Sequence, residues 1–96
     1  MTENVDKIAC DVLRRYPVKR AALFGSAARD RMKDTSDVDI VVEFLPGTPG
    51  LDFFGLKLDL EDALKRPVDL ITYRSLNKAQ PEFKDAVERE ARVIYG

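Results

Sequence analysis

Ninety-six residues leave room for one domain with a modest core, and no apolar run approaches the length of a membrane span. Sixteen basic residues against seventeen acidic ones give a net charge of −1, which argues against a basic nucleic-acid platform, so no direct nucleic-acid partner is expected. The lack of histidine removes Ser-His and Cys-His chemistry and the usual zinc sites, and the single Cys10 allows neither an intrachain disulfide nor a cysteine metal cluster.

Thr2 is placed to cap a first helix whose apolar positions, Val5, Ile8, Ala9, Val12 and Leu13, fall on one face; Pro17 ends the run. Cys10 lies off that face and has no base to activate it. Glu3 and Asp6 break any signal-peptide pattern, and the expected location is the cytoplasm. Val18 to Phe24 reads as a strand with an exposed start at Lys19 and Arg20 and a nearly continuous apolar end.

Gly25 breaks that strand, and Ser26 can cap a short helix through roughly Met32. A polar turn, Lys33 to Ser36, follows. Asp37 to Phe44 is the second strand, with Val38, Ile40 and Val42 on one face and Asp37, Asp39 and Val41 on the other. After a Pro- and Gly-rich loop at 46–50, Leu51 to Leu64 returns to helical spacing through Phe53, Leu56, Leu60, Ala63 and Leu64.

Lys65-Arg66-Pro67 stops this helix. Val68 to Thr72 is a short strand carrying an isolated acid, Asp69. Pro81 opens a last helix with Phe83, Ala86, Val87, Glu90 and Ala91 at helical offsets, and Arg92 to Tyr95 closes the chain as an edge strand. The alternation predicts an α+β fold, a small mixed β-sheet flanked by helices, within one domain spanning 1–96. The short link between the first two strands leaves room for antiparallel pairing.

The acids of Asp37-Val38-Asp39 stand at i and i+2 on a strand, so their carboxylates share a face about 7 Å apart along the backbone. Side chains of that reach can converge on one hard cation, whose shell phosphate oxygens and water would complete. If the third strand neighbours the second, Asp69 joins them, and three clustered carboxylates repel unless cations neutralise them. Gly25 allows close backbone approach. The amides of a following helix, the Ser26 hydroxyl and the Arg29 guanidinium can hold phosphate oxygens. Each element alone also has a structural reading: a Gly-Ser turn, a strand-start cap, an edge-strand acid. Ser36, Thr72, Tyr73 and Arg74 are candidate site neighbours or ordinary turn residues. The combination in this order favours a nucleotide and metal site.

Gly25-Ser26, ten residues, then Asp37-Val38-Asp39 resembles the signature of the DNA polymerase β-like nucleotidyltransferase superfamily. More narrowly, Gly25 to Arg29 with Ser36 to Phe44, Val68-Asp69-Leu70 and Val93-Ile94-Tyr95 resemble the prokaryotic minimal nucleotidyltransferases, over nearly the whole chain. The resemblance implies a polymerase β palm-like fold and two magnesium ions, with Asp37 and Asp39 as catalytic magnesium ligands and Asp69 as the third acid, a ligand of the first ion or the acceptor of the attacking hydroxyl's proton. It also implies that Gly25 and Ser26, with Arg29 and Ser36 beside them, hold ATP. Such proteins commonly serve as antitoxins that transfer AMP to a tyrosine of a helical HEPN-type toxin. The sequence departs from the family pattern at Asp30, where glycine is usual, and at Ala27. Two further readings are a binding-only antitoxin that masks its toxin by contact, and transfer to a small molecule. Ninety-six residues are too few to hold a large acceptor domain as well, so the acceptor is expected to be a partner protein or to reach the site within a homo-oligomer.

Overall fold

A computed structural model describes residues 2–25 and 37–96. Within them run α1 (Thr2–Leu13), β1 (Val18–Phe24), β2 (Val38–Phe44), α2 (Leu51–Leu64), β3 (Val68–Thr72), α3 (Tyr73–Asn77), α4 (Pro81–Glu90) and β4 (Arg92–Tyr95). The expected short helix after Ser26 and the turn at Lys33 to Ser36 lie outside the described residues. Thr2 is the first residue of α1 rather than the residue that caps it. The helix α3 has no counterpart in the sequence reading. It forms because the Thr72 hydroxyl accepts the Ser75 amide at 3.0 Å, a cap of only one turn.

The four strands form one sheet in the order β3-β2-β1-β4. β1 pairs antiparallel with both β2 and β4, whereas β2 and β3 run parallel. Parallel neighbours need a crossover, and α2 supplies it. The sheet is therefore mixed, with helices on both faces, as the α+β expectation required.

Alternation along the strands sorts the core into two parts. Val38, Ile40 and Val42 join Ala21, Leu23 and Leu70 against the apolar faces of α1 and α2. Val41, Ala22 and Phe24 look the other way, onto Leu76 of α3 and Val87 of α4. Leu56, Leu60 and Leu64 bury one stripe of α2. Of the residues at the helical offsets of α4, Val87 is buried in the smaller cluster, whereas Phe83 is 47% exposed and reaches that cluster only edge-on through Phe24.

Two polar ties fix α2 in rotation and height. The Tyr16 hydroxyl donates to the Asp59 carboxylate while its ring edge lies over Gly55, where an added Cβ would meet the hydroxyl at 3.2 Å. At the other end, the Glu61 carboxylate accepts the Val68 amide at 3.0 Å and so holds the start of β3. That amide bond, helped by the Lys57 ammonium, keeps the Glu61 carboxyl below its ordinary value.

The Tyr16 bond gives a pH prediction. The hydrogen bond to Asp59 raises the Tyr16 pKa from 10.0 to about 12, so its stabilisation is fully present below pH 10 and disappears as pH rises through 12. Tyr16→Phe should cost about 1 kcal/mol at pH 8 in urea denaturation, and the gap to wild type should close between pH 10 and 12.

Candidate active site

Gly25 ends β1 at φ +66°, in the left-handed region where a Cβ is strained. A Cβ built there would stand 2.5 Å from Asp39 Oδ2. Glycine is thus required twice, by the backbone and by the carboxylate lying against it. The two halves of the sequence motif meet at this contact because β1 and β2 pair antiparallel, with Phe24 opposite Asp39.

Asp69 arrives from the other side. The parallel register sets Asp39 opposite Asp69, and the Val38 amide donates to the Pro67 carbonyl at 3.0 Å, which aligns the two strand starts. Asp37 is exposed immediately before β2, and Asp69 is exposed on β3. Asp39 is half-buried between them. Burial pushes its carboxyl above the ordinary value, and the Asp69 and Asp37 charges push it further in the same direction. The three predicted acids therefore share one electrostatic neighbourhood.

They do not form a finished cage. Among the described residues, no three His, Cys, Asp or Glu side chains are grouped closely enough to hold a metal by themselves. Mutual repulsion keeps bare carboxylates apart, and magnesium characteristically takes one or two of them beside water and phosphate. All-oxygen donors, mutual repulsion and the absence of thiol or imidazole fit a hard divalent cation brought with a phosphorylated substrate.

Ser26, Arg29 and Ser36, the remaining predicted phosphate contacts, and Ala27 and Asp30, the departures from the family pattern, lie outside the described residues. Thr72, Tyr73 and Arg74 belong to the opposite end of β3, about 10 Å of extended chain from Asp69. There Tyr73 lies under the Arg20 guanidinium at 3.9 Å, and Arg20 donates to Glu43 at 2.6 Å. Cys10 is spent structurally, its thiol donating to the Ile94 carbonyl at 2.7 Å, and burial pushes its pKa up. The sequence reading overlooked Phe24 as a neighbour of the carboxylates. Its ring shares their face of the sheet, with Phe83 edge-on at 6.4 Å. The available signal was Phe24's place directly before the motif glycine.

The sequence profile of the nucleotidyltransferase domain matches residues 5–94. A protein of Methanocaldococcus jannaschii, named as a candidate protein adenylyltransferase, is 46% identical over 80 residues, covering 83% of each chain. A protein adenylyltransferase of Thermococcus cleftensis, MntA, is 38% identical over 66 residues, covering 69% of this chain and 67% of its own. Among solved structures, a candidate minimal nucleotidyltransferase superposes with a TM-score of 0.74 at 31% identity, covering 94% of this chain and 89% of its own. A toxin-antitoxin crystal structure with AMP-PNP shares the fold at a TM-score of 0.74 and 24% identity, over 95% of this chain and 73% of that one.

Two stability measurements follow from the crowding at Gly25. Asp39→Asn should raise the Tm of the metal-free protein at pH 7 by a few degrees, since like charges opposed across strands cost about 0.2–1 kcal/mol. Because the fold raises the Asp39 pKa, the penalty is absent below the ordinary value of 3.8 and grows as pH rises through the folded value; the gain should vanish in acid. Gly25→Ala should lower stability by about 1–2 kcal/mol in denaturant titration.

Proposed function

The chain belongs to the nucleotidyltransferase domain family, and on that premise we propose that it is a protein adenylyltransferase antitoxin. It would transfer AMP from ATP to a hydroxyl, taken to be a tyrosine, of a helical HEPN-type toxin. The observation that carries this reading is the contact of Asp39 with Gly25, with Asp69 in register on the neighbouring strand. It brings a phosphate-approach glycine and paired acids to one end of the sheet. The named relatives among protein adenylyltransferases and the toxin-antitoxin structures of this fold support the choice of acceptor class.

In this reading Asp37 and Asp39 would hold two magnesium ions, and Asp69 is the acid that activates the acceptor hydroxyl. When bound, such ions neutralise the carboxylates and the triphosphate and favour in-line displacement at phosphorus. Gly25 lets the backbone approach the triphosphate closely, and Ser26, Arg29 and Ser36 are proposed to complete its grip. The acceptor hydroxyl oxygen bonds to the α-phosphorus as the bond from that phosphorus to the bridging oxygen breaks. Pyrophosphate leaves with that oxygen, and the hydroxyl proton passes to the Asp69 carboxylate. The product is a phosphodiester between AMP and the acceptor.

The test is to purify the chain with the protein encoded beside it, add ATP and magnesium, and weigh the neighbour by intact mass spectrometry. One or more added adenylyl groups are expected. Asp37→Asn and Asp39→Asn should each lower the rate by about 10²-fold or more. Neutralisation of the neighbour that survives both substitutions without a mass change would establish a binding-only antitoxin instead.

A further inference from the structure

Helix α2 is apolar on two sides. Its inner stripe is spent on the core, yet Leu51, Phe54 and Leu58 are 81%, 63% and 64% exposed. The spacing i, i+3, i+7 lines these three up along a single outer face. Leu45, 46% exposed, extends the patch, since it lines one groove with Phe53 and Phe54. The face is also held rigid. Tyr16 fixes the helix rotation from one flank of the stripe through Asp59 and Gly55, and Phe53 meets Phe54 edge-on at 5.5 Å. An exposed aromatic with a fixed ring, set in an aliphatic stripe, is the form of an interface anchor.

We propose that this face is a two-fold interface between copies of the chain. The stripe is self-complementary: an antiparallel two-fold between residues 54 and 58 sets Phe54 of one copy against Leu58 of the second. The same operation carries Asp62, whose side chain is 87% exposed, toward the start of the second copy's α2. That start is capped by Gly50, which provides no side-chain hydrogen bond, so the incoming Asp62 adds a carboxylate to a helix end that holds one acid of its own, Asp52, in the first turn. Leu51, Phe54 and Leu58 together leave on the order of 400 Å² of apolar surface per copy. With Leu45 included, both copies would bury on the order of 1,000 Å², the lower limit for a specific interface. An interface of this size falls in the weak, transient class.

This placement has a functional corollary. α2 packs on the face of the sheet that carries Val38, Ile40 and Val42, whereas Asp39 and Phe24 lie on the other. The dimer leaves both candidate sites facing outward, and neither copy completes the site of the other. The proposal stands or falls independently of the catalytic reading.

Sedimentation equilibrium of the full chain from about 1 to 300 μM tests it. The mass is expected to climb from 10.9 kDa toward twice that value. Phe54→Lys and Leu58→Lys should each weaken association at least tenfold, and Asp62→Lys several-fold, with circular dichroism and Tm confirming that each variant is folded. A wild-type chain monomeric throughout the range overturns the proposal, as does association unchanged in folded Phe54→Lys. A third outcome also overturns it: a monomeric wild type whose complex with the helical partner is lost in Phe54→Lys, which would assign the face to that partner.

Discussion

Two aspartates facing each other on adjacent parallel strands are the constraint on which this structure depends. Asp39 opposite Asp69 is unfavourable in the bare protein, and a half-buried carboxylate cannot be relieved fully by solvent. The chain must hold that pair with binding energy gathered elsewhere. The parallel arrangement demands a crossover, the crossover is α2, and α2 is secured by three buried leucines and by polar ties at Tyr16 and Glu61. The Glu61 tie bears most directly on the site, because the amide it holds belongs to Val68, next to Asp69. Fold and candidate site are thus one problem: the sheet is stable enough to tolerate a local repulsion that a bound cation would reverse.

Much of this was legible because the relevant periodicities are simple. Alternation along Val38 to Val42 assigned the faces of β2 correctly, and helical spacing found the buried stripe of α2. The gap between the glycine turn and the acidic pair correctly left room for antiparallel pairing of β1 and β2. Whether Asp69 joined the other acids was left conditional on strand order, since sequence spacing carries no information about which strands are neighbours. The parallel pairing resolved it.

What was not legible has a common physical origin. The helix α3 is one capped turn, too short for any period to develop. Phe83 and Val87 share a helical offset, yet Val87 is buried and Phe83 is 47% exposed, because helical phase reports direction and not depth. The crowding of Gly25 against Asp39 is a through-space contact across a strand pair, and no pattern local to either residue reports it. The outer stripe of α2 was hidden differently. Leu51 and Leu58 read as ordinary members of an apolar helix, and only the direction of the core separates the inner leucines from the outer ones.

Among the described residues, β3 stands at the end of the sheet order, and Asp69 is its one charge. A strand with an open outer side is a template for pairing with other chains, and short length and charge are the usual protections. β3 reads Val-Asp-Leu-Ile-Thr, five residues of strongly strand-forming character with a single charge. Remove that charge and an apolar β segment stands at the rim of the sheet. The charge that Asp69 places on this strand is of the kind that protects an edge from pairing, so a loss of soluble protein in an Asp69→Ala chain would reflect the exposed edge, whatever its effect on catalysis.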